Sequence, residues 1–192
     1  MDIRKQRSQK KLRLALANQL QEKSLSEITI DDLATSAGVS RQTFYSNFPN
    51  KQAVLLVQID RLFFRCQQYS HELLGSGRYG RQELIRLGVE FLIDECEKDV
   101  TLLREAFNGQ AGIMCLEPLK GYIMELVSRE HLGGLYRGLN PTQFDIVLDF
   151  YAGALVGLIR RYLLADDRDD FRELVVSEAT RLIPHGLDAH LR

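Results

Sequence analysis

The chain has 192 residues, of which 45% are hydrophobic and 27% are charged. This balance fits one large globular domain or two small ones, and it excludes an intrinsically disordered protein. Three cysteines without a CxxC pair exclude a disulfide framework and a zinc module, and they favour a reduced, cytoplasmic chain. The longest uncharged apolar stretch, residues 150–159, is shorter than the about 20 residues that a membrane span needs.

Charge is divided unevenly along the chain. Residues 1–65 carry a net charge of +5, and the remaining residues carry −6. A basic head on an acidic body is typical of a protein that meets a polyanion with one end. The charge division alone leaves open that the basic residues only form a solvated helix face.

Almost the whole sequence has helical periodicity, and no segment alternates polar and apolar residues as a strand does. Leu12, Leu16 and Leu20, for example, recur every four residues. We predict an all-α protein of about nine helices. One long helix is expected over residues 50–74, and the last two are expected near residues 141–165 and 168–184.

Residues 28–51 hold the strongest functional signal. Thr29 and Asp32 have the spacing of a capping box, and Gly38 stands where a helix can end in the left-handed conformation. Ser40 then favours the start of a second short helix. Two short helices joined by a three-residue glycine turn predict a helix-turn-helix over residues 29–48.

The second helix of this motif is predicted to have a polar outward face. At about 100° per residue, Phe44 and Phe48 point into the core. Gln42 and Ser46 then point away from it, Arg41 can reach the same side, and no carboxylate lies there. Such a surface suits the major groove of DNA, where a carboxylate would face phosphates.

The segment ITIDDLATSAGVSRQTFYSNFPNK resembles the DNA-binding domain of TetR/AcrR-family transcriptional regulators. The resemblance lies in the short first helix, the Ala-Gly-Val-Ser turn, the Thr-Phe-Tyr helix, and the phenylalanine and lysine beyond it. It implies base reading by Arg41, Gln42 and Ser46, and DNA-backbone contacts by Thr43, Tyr45 and Lys51. Thr29, Ser40 and Asn47 complete the candidate DNA-binding residues.

Several of these positions also have a purely structural explanation. Thr29 and Ser40 can act only as helix caps, as can Asn50, and Tyr45 can cover the core. Lys51 can be a solvated lysine, although a cation in a first helical turn opposes the helix dipole. We therefore consider an external anion the better explanation for Lys51.

Two further features of the head bear on DNA binding. One or two of Arg4, Lys5 and Arg7 are expected to form an arm that reaches a groove. Asp31 is acidic and lies at the exposed start of the first motif helix, which argues against base contacts from that helix.

The resemblance divides the chain into a helix-turn-helix domain at residues 1–50 and a helical ligand-binding and dimerisation domain at residues 51–192. It implies that the last two helices pair with those of a second copy in a four-helix interface. The alternative is that their apolar stripes are only the core of this chain. The candidate dimerisation residues are Phe144, Leu148, Tyr151, Gly153, Leu155, Leu158, Phe171, Leu174, Val175 and Leu182.

Family members commonly hold an inducer between the helices of the body. Phe91, Phe107, Met114 and Tyr122 are the candidate ligand-binding residues, with ordinary core packing as the alternative. No catalytic motif, metal-ligand cluster or cofactor loop is found in the sequence, so we expect neither an enzyme nor a metal or cofactor. The acidic run at residues 94–99 is predicted to be a solvated helix end.

The sequence thus predicts a cytoplasmic, homodimeric transcriptional regulator that binds a palindromic operator in double-stranded DNA. A repressor relieved by a small-molecule inducer is the default within the family, and an activator that works through a protein partner is an alternative. The rival from another class is an all-helical interaction protein that uses its basic head on an acidic protein or a membrane surface.

Overall fold

The computed structural model of the protein describes residues 3–108, 120–122 and 140–188, except the side chains of Arg81 and of residues 184–188. The described residues form helices and contain no strand, which confirms the predicted all-α class. Residues 120–122 form a short helical piece. The other helices are α1 (Ile3–Gln19), α2 (Ile30–Ala37), α3 (Arg41–Asn47), α4 (Lys51–Ser76), α5 (Arg81–Lys98), α6 (Val100–Asn108), α7 (Pro141–Leu163) and α8 (Arg168–Asp188).

The helix boundaries follow the signals in the sequence except at one point. The predicted long helix is α4, and the last two predicted helices are α7 and α8. The break between α5 and α6 has no glycine or proline. It occurs at Asp99, whose backbone leaves the helical region with φ −130° and ψ 32°. Because aspartate is tolerated inside a helix, the pattern alone did not predict this break.

Helices α1 to α3 and the start of α4 form the part of the molecule that we call the headpiece. Its core is made by apolar side chains that recur at helical spacing, since such residues share one helix face. Leu12 and Leu16 of α1, Leu33 of α2 and Phe44 of α3 are fully buried, and so is Val54 of α4.

The basic N-terminus is helical in the structure. Arg4, Lys5 and Arg7 lie in the first turns of α1 and are exposed. An arm that reaches a groove from these residues would therefore be part of α1, and their contact with DNA stays a prediction. An uninterrupted run of polar residues with good helix propensity from Arg4 to Lys11 accounts for the helix.

Helix α4 connects the headpiece to the remaining helices, which we call the body. It packs against α5 and α6, and α6 also contacts α1. One continuous cluster of buried side chains extends from Leu12 in α1 to Ala179 in α8. The predicted domain boundary between residues 50 and 51 coincides with the start of α4, and as a division into two domains it stays a prediction.

The acidic run at residues 94–99 is only partly the solvated helix end that was expected, since Asp94 and Glu97 are exposed but Glu95 is buried. The Glu95 side chain is 2% exposed and is paired with Arg65 of α4. Glu97 accepts a hydrogen bond from Arg168, at the start of α8, at 2.8 Å. These partners are 30 and 71 residues away in the sequence, so local spacing could not predict them. The acidic run fastens α5 to α4 and α8.

Within the described residues, α7 is long and apolar enough to cross a membrane by length and composition alone, with a mean hydropathy of 1.4 over 18 residues. The expectation that the chain has no membrane span rests only on the short uncharged stretch at residues 150–159. A single helix of this kind is weak evidence, because the core helix of a water-soluble protein passes the same test. Six α7 residues are buried against the rest of the chain: Val147, Leu148, Ala152, Ile159, Tyr162 and Leu163.

Candidate nucleic-acid interface

The start of α2 is fixed by the predicted capping box. The Thr29 hydroxyl accepts a hydrogen bond from the Asp32 amide at 3.0 Å. In return, the Asp32 carboxylate accepts one from the Thr29 amide at 3.1 Å. Ile28 and Leu33, on either side of the cap, are buried, as in a hydrophobic staple. These contacts satisfy the free amides of the first turn and hold α2 in place.

The turn between α2 and α3 is also fixed by local contacts. Gly38 has φ 61° and ψ 43°, a left-handed conformation that glycine adopts without a Cβ clash. The Gly38 amide donates to Thr35 and the Val39 amide donates to Ala34, the two bonds of a Schellman motif. Ser40 then caps α3 by accepting from the Thr43 amide at 3.0 Å. The helix-turn-helix prediction is therefore confirmed.

One side of α3 is anchored in the headpiece core. Phe44 and Phe48 are buried, and their ring centroids are 6.1 Å apart. Both were predicted to face inward. Since these two residues are one helical turn apart, their burial fixes the rotation of α3 about its own axis and leaves its opposite side in solvent.

The exposed side of α3 is polar, and α3 itself contains no carboxylate. Arg41, Gln42 and Ser46 are exposed, and none of the described residues hydrogen-bonds the Gln42 side chain. The rings of Tyr45 and Phe44 pack in a T-shaped arrangement, with centroids 5.6 Å apart. It is nevertheless 48% exposed, so covering the core does not account for the whole Tyr45 side chain.

Other candidate residues on α3 make hydrogen bonds within the helix. The Thr43 hydroxyl lies 2.9 Å from the Ser40 hydroxyl. Ser46 and Asn47 both donate to the Thr43 carbonyl, at 2.9 Å and 2.7 Å. A contact between the Asn47 amide group and DNA would therefore have to replace or share an existing bond, whereas Gln42 presents its full hydrogen-bonding capacity.

Arg41 has a partner that sequence reasoning missed. Its Nη1 atom lies 3.2 and 3.3 Å from the two carboxylate oxygens of Asp31, at the start of α2. Its Cζ atom also lies 5.8 Å from the centre of the Tyr45 ring. The ion pair joins residues ten positions apart, and no spacing rule connects two residues on different helices.

Lys51, at the first position of α4, has partners inside the chain. Its Nζ atom donates to the carbonyl oxygens of Leu25, Ser26 and Ile28, with distances of 3.3 Å to Ser26 and 2.6 Å to Ile28. These carbonyls compensate a cation at a helix N-terminus, so an external anion is not needed to explain this lysine. A DNA contact by Lys51 stays a prediction.

Comparison with known proteins agrees with this geometry. A sequence model for bacterial regulatory proteins of the tetR family matches residues 14–57, which include α2, the turn and α3. The HTH-type transcriptional regulator EthR of Mycolicibacterium smegmatis is 44% identical over 82 residues. The headpiece is therefore similar to TetR-family regulators. The matched segment covers 42% of this chain and only 38% of EthR, so the strong sequence similarity to EthR concerns less than half of either protein.

Solved TetR-family structures share the fold over nearly the full length. Thermus thermophilus FadR, described as a TetR-family transcriptional repressor in complex with lauroyl-CoA, aligns with a TM-score of 0.68 and 21% identity, over 93% of this chain and 94% of that one. AlkX from Dietzia sp., a TetR-family repressor, aligns with a TM-score of 0.59 and 22% identity, over 94% and 96% of the two chains. At these identities the similarity shows the fold alone.

The expected dimerisation residues differ in exposure. Leu174 and Leu182 are 52% and 56% exposed, whereas Leu148 and Val175 are buried within the chain. Gly153 is exposed, and the other five candidates are half-buried: Phe144, Tyr151, Leu155, Leu158 and Phe171. Because Leu148 and Val175 belong to the core of a single copy, we leave them out of the proposed interface.

Two exposed apolar residues on α7 were missed. Ile146 and Phe150 are 63% and 67% exposed, and they lie four positions apart on one helix face. Gly153 and Gly157 continue that face, and a Cβ added at either glycine would meet nothing within 4 Å. The sequence does contain a signal for this face, because the four positions recur at helical spacing. The larger apolar stripe beside them made it difficult to recognise.

The described ligand-binding candidates each pack against neighbouring side chains. Phe91 stacks on Tyr69 with centroids 4.0 Å apart, and Phe107 is buried. Tyr122 stacks on Phe63, and its hydroxyl lies 2.8 Å from that of Ser70. Met114 lies outside the described residues. For the described three, ordinary core packing accounts for the contacts that are seen.

A small apolar cavity lies between α5, α7 and α8. Its volume is about 20 Å³, and its lining includes Val89, Cys96, Leu155 and Tyr162. That volume is enough for about one water molecule. A larger ligand at this place would have to displace the lining side chains. Cys66 and Cys96 are free and buried, and burial raises the pKa of the Cys66 thiol to about 12.

Proposed function

We propose that this protein is a TetR-family regulator of transcription that binds specific sequences of double-stranded DNA through α3. The observation that carries the proposal is the exposed side of α3, where Arg41 and Gln42 stand on a rigid helix with no carboxylate in that helix. Guanidinium and amide groups on a helix are the side chains that read base edges in the major groove. The similarity of residues 14–57 to bacterial regulatory proteins of the tetR family supports the same conclusion.

The charge distribution supports DNA as the partner. Residues 1–65 carry a net charge of +5 in a chain whose total is −1. Lysine and arginine that neutralise phosphates release counterions, so affinity should fall as salt rises, with a slope of about −0.9 per neutralised phosphate on a double-logarithmic plot. Lys5 and Arg7, which are exposed on α1, can make such contacts.

We also propose that the protein acts as a homodimer on a palindromic operator. The exposed face of α7 that contains Ile146, Phe150, Gly153 and Gly157 supports this, together with Leu174 and Leu182 on α8. The glycines leave room for a second helix to approach closely, and the large side chains beside them can then bury apolar surface. Two headpieces related by two-fold symmetry would read two half-sites.

By analogy with its relatives, we propose repression that a small-molecule ligand relieves, in the cytoplasm. FadR is described as a repressor in complex with lauroyl-CoA, and AlkX is described as a repressor. A ligand bound in the body would act on the headpiece through α4 and through the contact between α6 and α1. A reporter gene behind the operator would distinguish repression from activation.

Selection of bound sequences from random duplex DNA tests the proposal. We expect a palindromic consensus, with a half-site spacing set by the separation of the two α3 helices. Arg41→Ala should relax the preference at one base pair per half-site. Arg104→Ala removes an exposed arginine of the body and should leave the consensus unchanged.

Two outcomes would overturn the proposed function. One is recovery of random sequence by the native protein, and the other is an affinity that does not depend on salt. Retention on anionic vesicles or acidic proteins without any DNA preference would instead support an interaction protein that uses its basic head.

A further inference from the structure

We infer that Asp31 is a positioning residue for base recognition, because its carboxylate holds the Arg41 guanidinium in one orientation for reading guanine. The inference rests on the proposed function and adds a residue to its specificity. It begins from the one ion pair seen between α2 and α3 among the described residues, Arg41 to Asp31 at 3.2 Å.

The local structure explains why the pair forms. Asp31 lies in the first turn of α2, where the helix dipole favours a carboxylate, and Arg41 begins α3, where the dipole disfavours a cation. A contact between them relieves the unfavourable position of the arginine. The backbones at both ends are fixed, because Thr29 caps α2 and Ser40 caps α3. The ion pair therefore joins two rigid helix starts.

The geometry leaves the guanidinium able to bind a base. Asp31 contacts only the Nη1 atom of Arg41. The remaining edge, made by Nε and Nη2, carries two parallel donors that match the O6 and N7 acceptors of guanine. The Tyr45 ring, 5.8 Å from the Cζ atom, limits movement of the same group on another side. Arginine held in this way loses less side-chain entropy on binding a base.

The same carboxylate should also reduce binding to the wrong sequence. In a non-specific complex, arginine gains most by moving to a phosphate, and Asp31 opposes that movement while its own charge repels the phosphates. In the specific complex, Arg41 can keep Asp31 and bind guanine at once. Asp31 therefore lowers non-specific affinity more than it lowers specific affinity.

The experiment compares Asp31→Asn with Glu22→Gln in the full-length protein. Both changes remove one negative charge from the headpiece, and both residues line the same surface cleft. Of these two residues, Asp31 is the one that pairs with Arg41. The probes are the selected operator duplex and the same duplex with the guanine read by Arg41 replaced in each half-site. The measured quantity is the dissociation constant for the substituted duplex divided by that for the operator.

We expect Asp31→Asn to lower this ratio about fivefold, the scale of one ion pair. Glu22→Gln should raise affinity for both duplexes equally and leave the ratio unchanged. In an Arg41→Ala background, Asp31→Asn should have no further effect on the ratio, because its action passes through Arg41. Circular dichroism melting of each variant reports whether the headpiece stays folded.

The inference is overturned if the native protein discriminates between the duplexes and Asp31→Asn discriminates equally well. It is also overturned if Asp31→Asn lowers discrimination further in the Arg41→Ala background. The same holds if Glu22→Gln lowers discrimination as much as Asp31→Asn does. A native protein without sequence preference would overturn the proposed function itself, and the selection experiment detects that case separately.

Discussion

The headpiece and the body use the same kind of ion pair in opposite settings. Arg41 and Asp31 of the headpiece have side chains that are 61% and 66% exposed. Arg65 and Glu95, which join α4 to α5, are 28% and 2% exposed. An exposed pair is weak and can change partners, whereas a buried carboxylate cannot lose its partner without a large cost. Exposure therefore suits the first pair to recognition and the second to a rigid connection.

The largest effect in this comparison is expected from Glu95→Ala. It removes a carboxylate that is 2% exposed and leaves Arg65 with only the longer contact to Asp99, at 3.8 Å. Loss of one member of a buried pair costs about 3 kcal/mol, the lower end of the usual range, because Arg65 is partly exposed. Urea unfolding at a fixed protein concentration measures the change in the free energy of unfolding.

The matched control for this prediction is Glu83→Ala on the same helix. Glu83 pairs with Arg86 at 2.6 Å, but the two side chains are 43% and 40% exposed. This exposed pair should contribute less than about 1 kcal/mol. Equal losses in the two variants would contradict the distinction between exposed and buried pairs.

Acid should weaken the connection between α4 and α5 in a defined direction. Burial raises the pKa of Glu95, but the hydrogen bonds from Lys98 and Arg65 lower it more, so the net pKa is below its ordinary value. A carboxyl group whose pKa is lower in the folded state stabilises the protein above its unfolded-state pKa. That stability is lost as the pH falls through the unfolded-state and then the folded-state value.

We therefore expect the urea midpoint of the native protein to fall as the pH is lowered from about 6 to about 3. Glu95→Gln cannot ionise, so its midpoint should fall less steeply over the same interval. Glu97 also has a lowered pKa, from hydrogen bonds with Arg168 and Tyr162 that outweigh burial, so some slope should remain. Parallel curves for the two proteins would show that Glu95 does not contribute.

A smaller effect is expected from Lys51→Met. This change removes the ammonium group that donates to the Ser26 and Ile28 carbonyls, and hydrogen bonds to a charged group contribute about 1.5 kcal/mol. Lys23 is exposed in the connection between α1 and α2, which also contains Ser26 and Ile28, and Lys23→Met should not change the free energy of unfolding. If Lys51 acted only on DNA, Lys51→Met would lower DNA affinity and leave unfolding unchanged.

The headpiece was largely predictable from the sequence because its contacts are local. The Thr29–Asp32 capping box and the Ser40 cap each join residues three positions apart. Periodicity predicted the burial of Phe44 and Phe48. Each of these features depends on one short segment, so residue types and spacing were sufficient to find it.

The side-chain partners that fix the body and the interface were not predictable. The Arg65–Glu95 pair spans 30 residues and the Arg168–Glu97 bond spans 71. The Arg41–Asp31 pair spans only ten, but it crosses a turn between helices. Such pairs depend on how helices pack in three dimensions, and one sequence does not contain that information in its local pattern.

Gly38→Ala tests a locally predicted feature and should have a moderate effect. Gly38 has φ 61°, where a residue with a Cβ is disfavoured by about 1 kcal/mol. Gly75 lies inside α4 at an exposed position, and a Cβ added there would meet nothing within 4 Å. Gly75→Ala should therefore leave the free energy of unfolding unchanged or raise it slightly. Equal effects of the two changes would contradict the strained-turn interpretation.

The smallest effect on stability is expected from Asp31→Asn. Because both side chains of the Arg41–Asp31 pair are more than half exposed, their loss should change the free energy of unfolding by less than about 1 kcal/mol, measured by urea unfolding in 0.15 M salt. A loss as large as that of Glu95→Ala would make Asp31 a structural residue of the headpiece. If Asp31→Asn instead loses little stability but has a lower ratio of specific to non-specific binding, a structural role does not explain the result. The exposed pair then acts when DNA excludes water from Arg41, since the attraction between the two charges strengthens as the surrounding dielectric constant falls.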